Sequence, residues 1–449
     1  MTIQLHPKLS IAGLLQSIKH SFSFVKDPIK SGKKYGLVDC LMSGMAIFGM
    51  KYPSLLQFEQ SQSEDRVRHN LKSLYGVAKA PSDTQLRQRL DEVELADLVE
   101  VYKSPFKLAQ RHGVTKKFQV LDGYHPVAVD ATGIFSSHEI HCQNCCVKNH
   151  KDGSKTYHHQ ILSAVMVNPG MKQVMPLISE PITKQDGATK NDCELNAAKR
   201  LYPALRSAHP KLKMLVIQDN LYATAPNILE LKNLGFSYLI VVKPTGDKAL
   251  FEWVKEGRTQ LTIKRDNITY HLSWFNGAPL NDTHHELKVN FLECYETHYD
   301  AKTKIESEPK SLWTWITDIQ ITKNNVLELA QTGRARWHIE NETYNTLKNQ
   351  GYHFEHNFGH GDKNLSTVFA HLMMLAFLID QIQELCCEAF QAALKKEHSK
   401  KSCLWQRFRI HFLTFYFASW TDFLNYIADP SDFDILSNKG IGTICMNSS

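Results

Sequence analysis

The chain is poor in the features that mark membrane, secreted and repetitive proteins. It has no run of about 18 apolar residues, the length a bilayer-crossing helix needs. The longest apolar stretch, 368–379, is interrupted by His371 and followed by Asp380 and Gln381, so no membrane association is expected. The opening Met1-Thr2-Ile3-Gln4-Leu5-His6-Pro7-Lys8 lacks a basic segment followed by an apolar core and a small-residue cleavage site, and no secretory signal is expected. There is no internal repeat and no low-complexity segment. Cysteine is sparse: 10 in 449 residues, scattered apart from the adjacent pairs Cys145-Cys146 and Cys386-Cys387. Dense disulfide scaffolds are short and secreted, so a reducing cytoplasm is the expected setting. Neither charge sign dominates. Lys and Arg number 52 against 46 Asp and Glu, a net charge of +6, which leans towards a polyanionic partner without demanding one.

What is present is ordinary globular material, 43% hydrophobic and 22% charged, enough for roughly two or three domains with sizeable cores. Residues 1–115 read as mixed polar and apolar helix. Val67-Arg68-His69-Asn70-Leu71-Lys72 is basic, and Pro81-Ser82-Asp83-Thr84 opens a helix with capping residues before Arg87. Such a block suits the grip of a DNA duplex, and equally suits a helical domain with a solvated basic face. From Pro126 the texture changes. Residues 127–135, 157–167, 174–179, 214–217 and 238–242 read as strands, with helices at 191–205 and 226–234, an α/β sheet of mixed pairing. Residues 245–322 read as a β-rich insertion with polar and Gly/Pro turns. Helix returns over 326–350. Apolar helix follows from 365 to about 394, then basic and aromatic sequence, and a tail from Asp434 that reads as loose.

The densest chemistry lies in Arg336-Trp337-His338-Ile339-Glu340, with Tyr344 and Lys348 beyond. Arg336, Glu340 and Tyr344 repeat at i and i+4 and share one helix face. Arg and Glu at that spacing are usually only a surface ion pair. Two isolated acids upstream change the weighting. Asp130 ends the apolar run Pro126-Val127-Ala128-Val129, and Asp219 follows Met214-Leu215-Val216-Ile217-Gln218. Two strand-end aspartates and a later helix glutamate are the parts of a two-metal phosphoryl-transfer site. Divalent cations about 3.5–4 Å apart activate the attacking oxygen and stabilise the leaving one, and Mg²⁺ or Mn²⁺ takes carboxylate ligands. For a single aspartate the capping of a turn is the better reading; for the trio beside a cationic helix the catalytic one is.

The segments Val127-Ala128-Val129-Asp130-Ala131-Thr132-Gly133, Val216-Ile217-Gln218-Asp219-Asn220-Leu221-Tyr222-Ala223 and Arg336-Trp337-His338-Ile339-Glu340 resemble the three catalytic segments of bacterial insertion-sequence DDE transposases. They are most similar to the cut-and-paste branch with a β insertion before the catalytic helix. The resemblance covers roughly residues 120–375. It implies an RNase H-like mixed sheet carrying a β-rich insertion, with helical N-terminal and C-terminal regions. On that reading residues 1–115 bind DNA, 116–244 and 323–375 form the catalytic core, 245–322 are the insertion, and 376–449 a C-terminal helical region. It implies Asp130, Asp219 and Glu340 as catalytic ligands of Mg²⁺ or Mn²⁺, and double-stranded DNA, both terminal inverted repeats and target, as partner. A homodimer on DNA, in the nucleoid of a bacterial cytoplasm, is also implied. The branch signature is Tyr, two residues, Arg, three residues, Glu, six residues, Lys. Arg336 and Glu340 match it. Gly333 stands where Tyr is wanted, and Lys348 comes one residue late, with Leu347 in its place. Glu342 is a rival acid, but two residues from Glu340 puts it on the other side of the helix.

Arg336, Lys348, Tyr344 and Lys243 are the candidate phosphate contacts; Lys243, closing the last strand of the first core part, equally suits a solvated strand end. Asp192 and Glu194, opening the helix at 191–205, rank behind the trio and suit the helix dipole. His141-Cys142-Gln143-Asn144-Cys145-Cys146 with His150, His158 and His159 has zinc-like spacing at Cys142 and Cys145. With no second pair and no His-x₃-His, ordinary thiols are the preferred reading. Three histidines and a glutamate in 351–361 read first as a loop that touches DNA, and second as metal ligands. Trp253, Trp274, Trp313 and Trp315 suit core packing first and base stacking second. The functional alternatives are a nuclease of the same fold without strand transfer, a domesticated DNA-binding protein that has lost catalysis, and a zinc hydrolase using the Cys/His segment.

Overall fold

The computed structural model describes residues 6–29, 34–183, 193–300, 305–309, 311–398, 400–438 and 441–446. The N-terminal texture folds into helices α1 (Ile11–Phe22), α2 (Leu37–Gly49), α3 (Leu55–Ser61), α4 (Asp65–Tyr75), α5 (Asp83–Asp91) and α6 (Leu95–Arg111). Their starts are written locally. Ser10, Ser54 and Ser82 accept hydrogen bonds from the backbone N–H groups of Gly13, Gln57 and Gln85, which satisfies donors the first turn leaves unpaired. Gly76, at φ 65°, closes α4 in the left-handed conformation.

The sheet is built from β1 (His125–Ser137), β2 (Cys146–Asn149), β3 (Lys155–Asn168), β4 (Met171–Ile182), β5 (Met214–Gln218) and β6 (Ser237–Val241). It continues through β7 (Thr259–Arg265), β8 (Ile268–Pro279), β9 (Lys288–Asp300), β10 (Ile305–Glu306) and β11 (Leu312–Thr317). Between these lie α7 (Glu194–Ala208), α8 (Ala225–Asn233) and α9 (Lys248–Trp253). β3 pairs antiparallel with β1 on one side and with β4 on the other; β1, β5 and β6 run parallel. The order through this half is therefore β4-β3-β1-β5-β6. β5 is buried along its whole length, the pattern of a strand covered on both faces.

The block at 245–322 is not a separate body. β11 pairs antiparallel with β6, and β9, β8 and β7 follow in the same sheet, eleven strands in all. The open edge of β6 needs hydrogen-bond partners, and β11 supplies them. A pairing between strands some seventy residues apart leaves no local trace. Trp274 and Trp315 are buried in a second, smaller apolar cluster beneath these strands, while Trp253 is half exposed.

Helix α10 (Val326–Arg334) leads, through a turn at Ala335–Arg336, to a π-helical segment, Ile339–Tyr344, and then α11 (Asn345–Asn349). The single helix expected over 326–350 is thus broken at its chemically important point. The α12 helix (Leu365–Cys386) is long and apolar enough to cross a bilayer, yet 94% of its most apolar window is buried within the protein. It packs against α2, α5, α6 and β4. His371, which interrupts its apolar run, is fully buried, with Nδ1 2.8 Å from the Thr367 carbonyl and Nε2 3.3 Å from that of Ser179 in β4. Asp380 accepts from Lys51 Nζ at 2.5 Å and from Tyr352 Oη at 2.6 Å. The last helices, α13 (Glu388–Lys396), α14 (Lys401–Thr414) and α15 (Trp420–Ala428), close onto α4: Asn70 Nδ2 donates to the Phe412 and Phe415 carbonyls and Trp420 Nε1 to that of Leu74. One continuous core thereby joins both ends of the chain. The tail expected to be loose contains a hairpin, β12 (Phe433–Asn438) and β13 (Ile441–Met446).

Candidate active site where β1 and β5 diverge

The parallel ladder between β1 and β5 ends at Ala128↔Ile217. Two residues further along each strand stand Asp130 and Asp219. Side chains alternate faces with period two, so both lie on the face of Ala128 and Ile217, in neighbouring positions. Beyond that point β1 keeps its partner β3, with Asp130 opposite Ser163, whereas β5 stops and turns.

The turn after β5 is held from below. Gln218 Nε2 donates to Tyr202 Oη (2.5 Å), Tyr202 Oη to Asn227 Oδ1 (2.8 Å), and Asn227 Nδ2 to Gln218 Oε1 (3.1 Å) and to the Tyr222 carbonyl (2.9 Å). A fully satisfied buried polar network of this kind fixes one geometry. Asp219 Oδ1 accepts from Leu221 N–H at 2.9 Å, so one oxygen does turn-capping work.

Arg336 completes the convergence. Its Nη1 lies 3.0 Å from Asp130 Oδ2 and its Nη2 2.9 Å from Glu340 Oε1, with only 13% of its side chain exposed. The guanidinium is a bridge between strand acid and helix acid. Burial pushes the Asp130 carboxyl up to about 6; Arg336 and the Ala131 N–H, which donates to Oδ1 at 2.9 Å, pull against that, while Glu340 and Asp219 push with it. The acids are close enough to repel, and a cation lowers the cost of holding them together. Glu194, in the first turn of α7, joins this environment: burial and then Asp219 raise its carboxyl, and Tyr222 Oη donates to it at 3.4 Å. Sequence ranked Glu194 second; its position opening a helix was the available signal. Asp192 lies outside the described residues.

The other candidates fall in different places. Tyr344, expected to face phosphate, is 5% exposed, and its hydroxyl donates to the Asp130 carbonyl at 2.7 Å; it braces β1. Tyr344 is the last residue of the π segment, where the i,i+4 spacing of an α-helix no longer sets which residues share a face. Lys348 pairs with Glu355 at 3.0 Å, while Leu347 is fully buried. Lys243 is exposed beyond β6, on a turn where Asp247 accepts from its N–H (2.8 Å) and from Asn220 Nδ2 (2.8 Å). Glu342 lines a separate open groove of about 1000 Å³ with Trp337, His338 and Arg334. Gly333 leaves no room for the tyrosine of the branch signature, because a Cβ there would lie 2.6 Å from the Trp315 ring. In the loop after α11, Phe354 and Phe358 are buried, and His360 meets Cys142, Cys145 and His159. Sequence reading missed that meeting: His360 is 215 residues from Cys145.

No protein-family model matches the chain, and no curated protein matches it. Among solved structures, a cryo-EM structure of a piggyBac transposase synaptic complex with hairpin DNA is similar at 10% identity and a TM-score of 0.39, over 96% of this chain and 84% of that one. A likeness of that degree does not establish a shared fold.

Proposed function

We propose that this chain is a DNA transposase of the DDE type, cutting the ends of an element and joining them to target DNA. The observation that carries the reading is the register of β1 and β5, which sets Asp130 and Asp219 side by side, together with the Arg336 bridge from Asp130 to Glu340. The sheet order β4-β3-β1-β5-β6 with β3 antiparallel supports an RNase H-like core.

The donors at this point are carboxylate oxygens, a set that suits Mg²⁺ or Mn²⁺ and not a soft ion. Glu340 and Asp219 raise the proton affinity of Asp130, and Arg336 pairs with it, as expected of a site short of positive charge. Asp130, Asp219 and Glu340 would hold the cations, whose chemistry is to activate the attacking oxygen and stabilise the leaving one. Arg336 neutralises the acids when no cation is held and, once cations take over that role, would be free to hold two oxygens of a phosphate with parallel hydrogen bonds. The Tyr344 hydroxyl and the Gln218 network keep the two aspartates in register. Partners on this reading are the element's terminal inverted repeats and the target duplex, engaged by a homodimer in the bacterial cytoplasm.

The experiment is a strand-transfer assay. Duplexes from the DNA flanking the coding sequence, searched for short inverted repeats, are incubated with full-length protein, Mg²⁺ and a plasmid. Cleavage at the repeat ends with joined product is the expected result. Cleavage without joining would assign a nuclease, and repeat binding without cleavage a DNA-binding protein.

A further inference from the structure

We infer that Cys142, Cys145, His159 and His360 form a structural zinc site that clips the loop after the Glu340 helix onto the β1–β3 hairpin. Their ligand atoms all lie within 4.8 Å of one another. The two sulfurs are 3.8 Å apart; Cys142 Sγ is 3.4 Å from His159 Nε2, and Cys145 Sγ is 3.2 Å from both His159 Nε2 and His360 Nε2. A tetrahedron with Zn–S about 2.3 Å and Zn–N about 2.0–2.1 Å has S···S edges of about 3.8 Å and S···N edges of about 3.6 Å. These four edges fall within about 0.4 Å of those values, and no two of the four ligand atoms are more than 4.8 Å apart. A disulfide would need the sulfurs at about 2.05 Å, so this pair is two thiols.

The surroundings suit a closed site. Cys145, His159 and His360 are 1%, 2% and 8% exposed. Phe135 of β1 packs against both imidazoles, at 6.1 and 4.4 Å between centroids. His360 Nδ1 lies 2.7 Å from the Gly361 carbonyl, the outer hydrogen bond that fixes a ligand histidine's tautomer. Cys142 N–H points at Cys145 Sγ at 3.4 Å, a contact that stabilises a thiolate. His159 Nδ1 is buried without a partner, which leaves Nε2 as that residue's one means of satisfaction. Four protein ligands fill a tetrahedron and leave no open position, so the site holds structure and does no hydrolysis.

The consequence is mechanical. His360 sits in the loop between α11 and α12, while the other three ligands belong to the β1–β3 hairpin. The same loop is caught again at its far end, where Asp91 accepts from the backbone N–H groups of Asp362, Lys363, Asn364 and Leu365. Phe135 lies five residues beyond Asp130, roughly 15 Å along the strand. The clip therefore holds the exit of the Glu340 helix against the strand that carries Asp130, and acts at a distance from the carboxylates.

The test uses full-length protein purified with reductant and without chelator. Elemental analysis is expected to give one zinc per chain. Replacement by Co²⁺ is expected to give the visible bands of a tetrahedral thiolate site, and both thiols should resist alkylation until a chelator strips the metal. His360→Ala should lower zinc retention about tenfold or more, and Cys142→Ser with Cys145→Ser should abolish it together with the cobalt–thiolate band. Zinc-free wild-type protein with freely alkylated Cys142 would overturn the inference. So would a Cys142–Cys145 disulfide under reductant, or zinc retained in the double variant. The wild-type measurements stand even if a variant fails to fold, and none depends on DNA cleavage.

Discussion

The β1–β3 hairpin carries two clusters of opposite construction. Near the middle of β1, Asp130 meets Asp219, Glu340 and Arg336: carboxylate oxygens bridged by a guanidinium, where the β1–β5 ladder ends. Further along, two sulfurs and two imidazoles close on one another beside Phe135, three of the four residues buried. The first is an oxygen-donor set neutralised by one guanidinium, suited to hard cations that come and go with a substrate. The second offers four soft and borderline donors at tetrahedral spacing, suited to an ion that stays. Hard donors with an open side serve chemistry; soft donors that saturate a tetrahedron serve architecture.

The sharpest way to break that contrast is to disarm the open site. Asp130→Asn, Asp219→Asn or Glu340→Gln is expected to cut cleavage by roughly a thousandfold or more, about 4 kcal/mol of transition-state stabilisation, with DNA binding and zinc content unchanged. Cleavage within tenfold of wild type for Asp219→Asn would remove the trio from catalysis. Next in size is the response to metal removal. Omitting Mg²⁺ should stop cleavage and leave the melting temperature in place, whereas stripping zinc should lower the melting temperature by several degrees. A common response of both readouts to both treatments would erase the distinction.

Arg336→Ala should cost on the order of a hundredfold in cleavage, the range seen when an oriented charge donor is lost, and Lys348→Ala less than about tenfold. Lys348 is tied to Glu355, while Arg336 holds both acids. Removing Arg336 also removes the cation that lowers the Asp130 carboxyl, so the pH profile of that variant should move to higher pH. An unmoved profile would disconnect the two residues.

The pH dependence itself is smaller but specific. The Asp130 carboxyl stands at about 6, above its usual value near 3.8. A proton is thus held more tightly in the folded state. Stability from that proton is complete below the unfolded value, and is lost as pH rises through about 6. Metal-free protein should lose melting temperature across that window, while cleavage, which needs the carboxylate free for the cation, should rise across it and level off above. Stability that climbs through the same window would contradict the assignment. Smallest of all, Glu342→Ala should change cleavage by less than about twofold, since Glu342 lies in the groove with Trp337 and His338. A loss matching that of Glu340→Gln would exchange their roles.

Much of this was legible in one dimension. Apolar runs and caps placed the strands β1, β3, β4, β5 and β6 and the α5 start, because period-two burial and Ser N-caps are local. Asp130 and Asp219 stood out as acids ending such runs. Three things could not be read. The β-rich block at 245–322 was expected, but not that it continues the core sheet, because a pairing such as Trp315↔Val241 has no sequence signature. The helix carrying Glu340 looked continuous because the π segment, whose last residue Tyr344 donates to the Asp130 carbonyl, leaves no periodicity signature of its own. The zinc reading of Cys142 and Cys145 lacked its last ligand because the completing imidazole comes from residue 360.

The sequence alone determined most of the core strands, the N-terminal caps and which acids end apolar strands, since backbone sterics and hydrophobic periodicity act over a few residues. Only the tertiary structure decided which groups meet. Asp130 with Arg336, Cys145 with His360 and Lys51 with Asp380 are separated by 206, 215 and 329 residues. Such contacts exist because the apolar faces of many elements are buried at once, and that joint burial is a property of the whole chain.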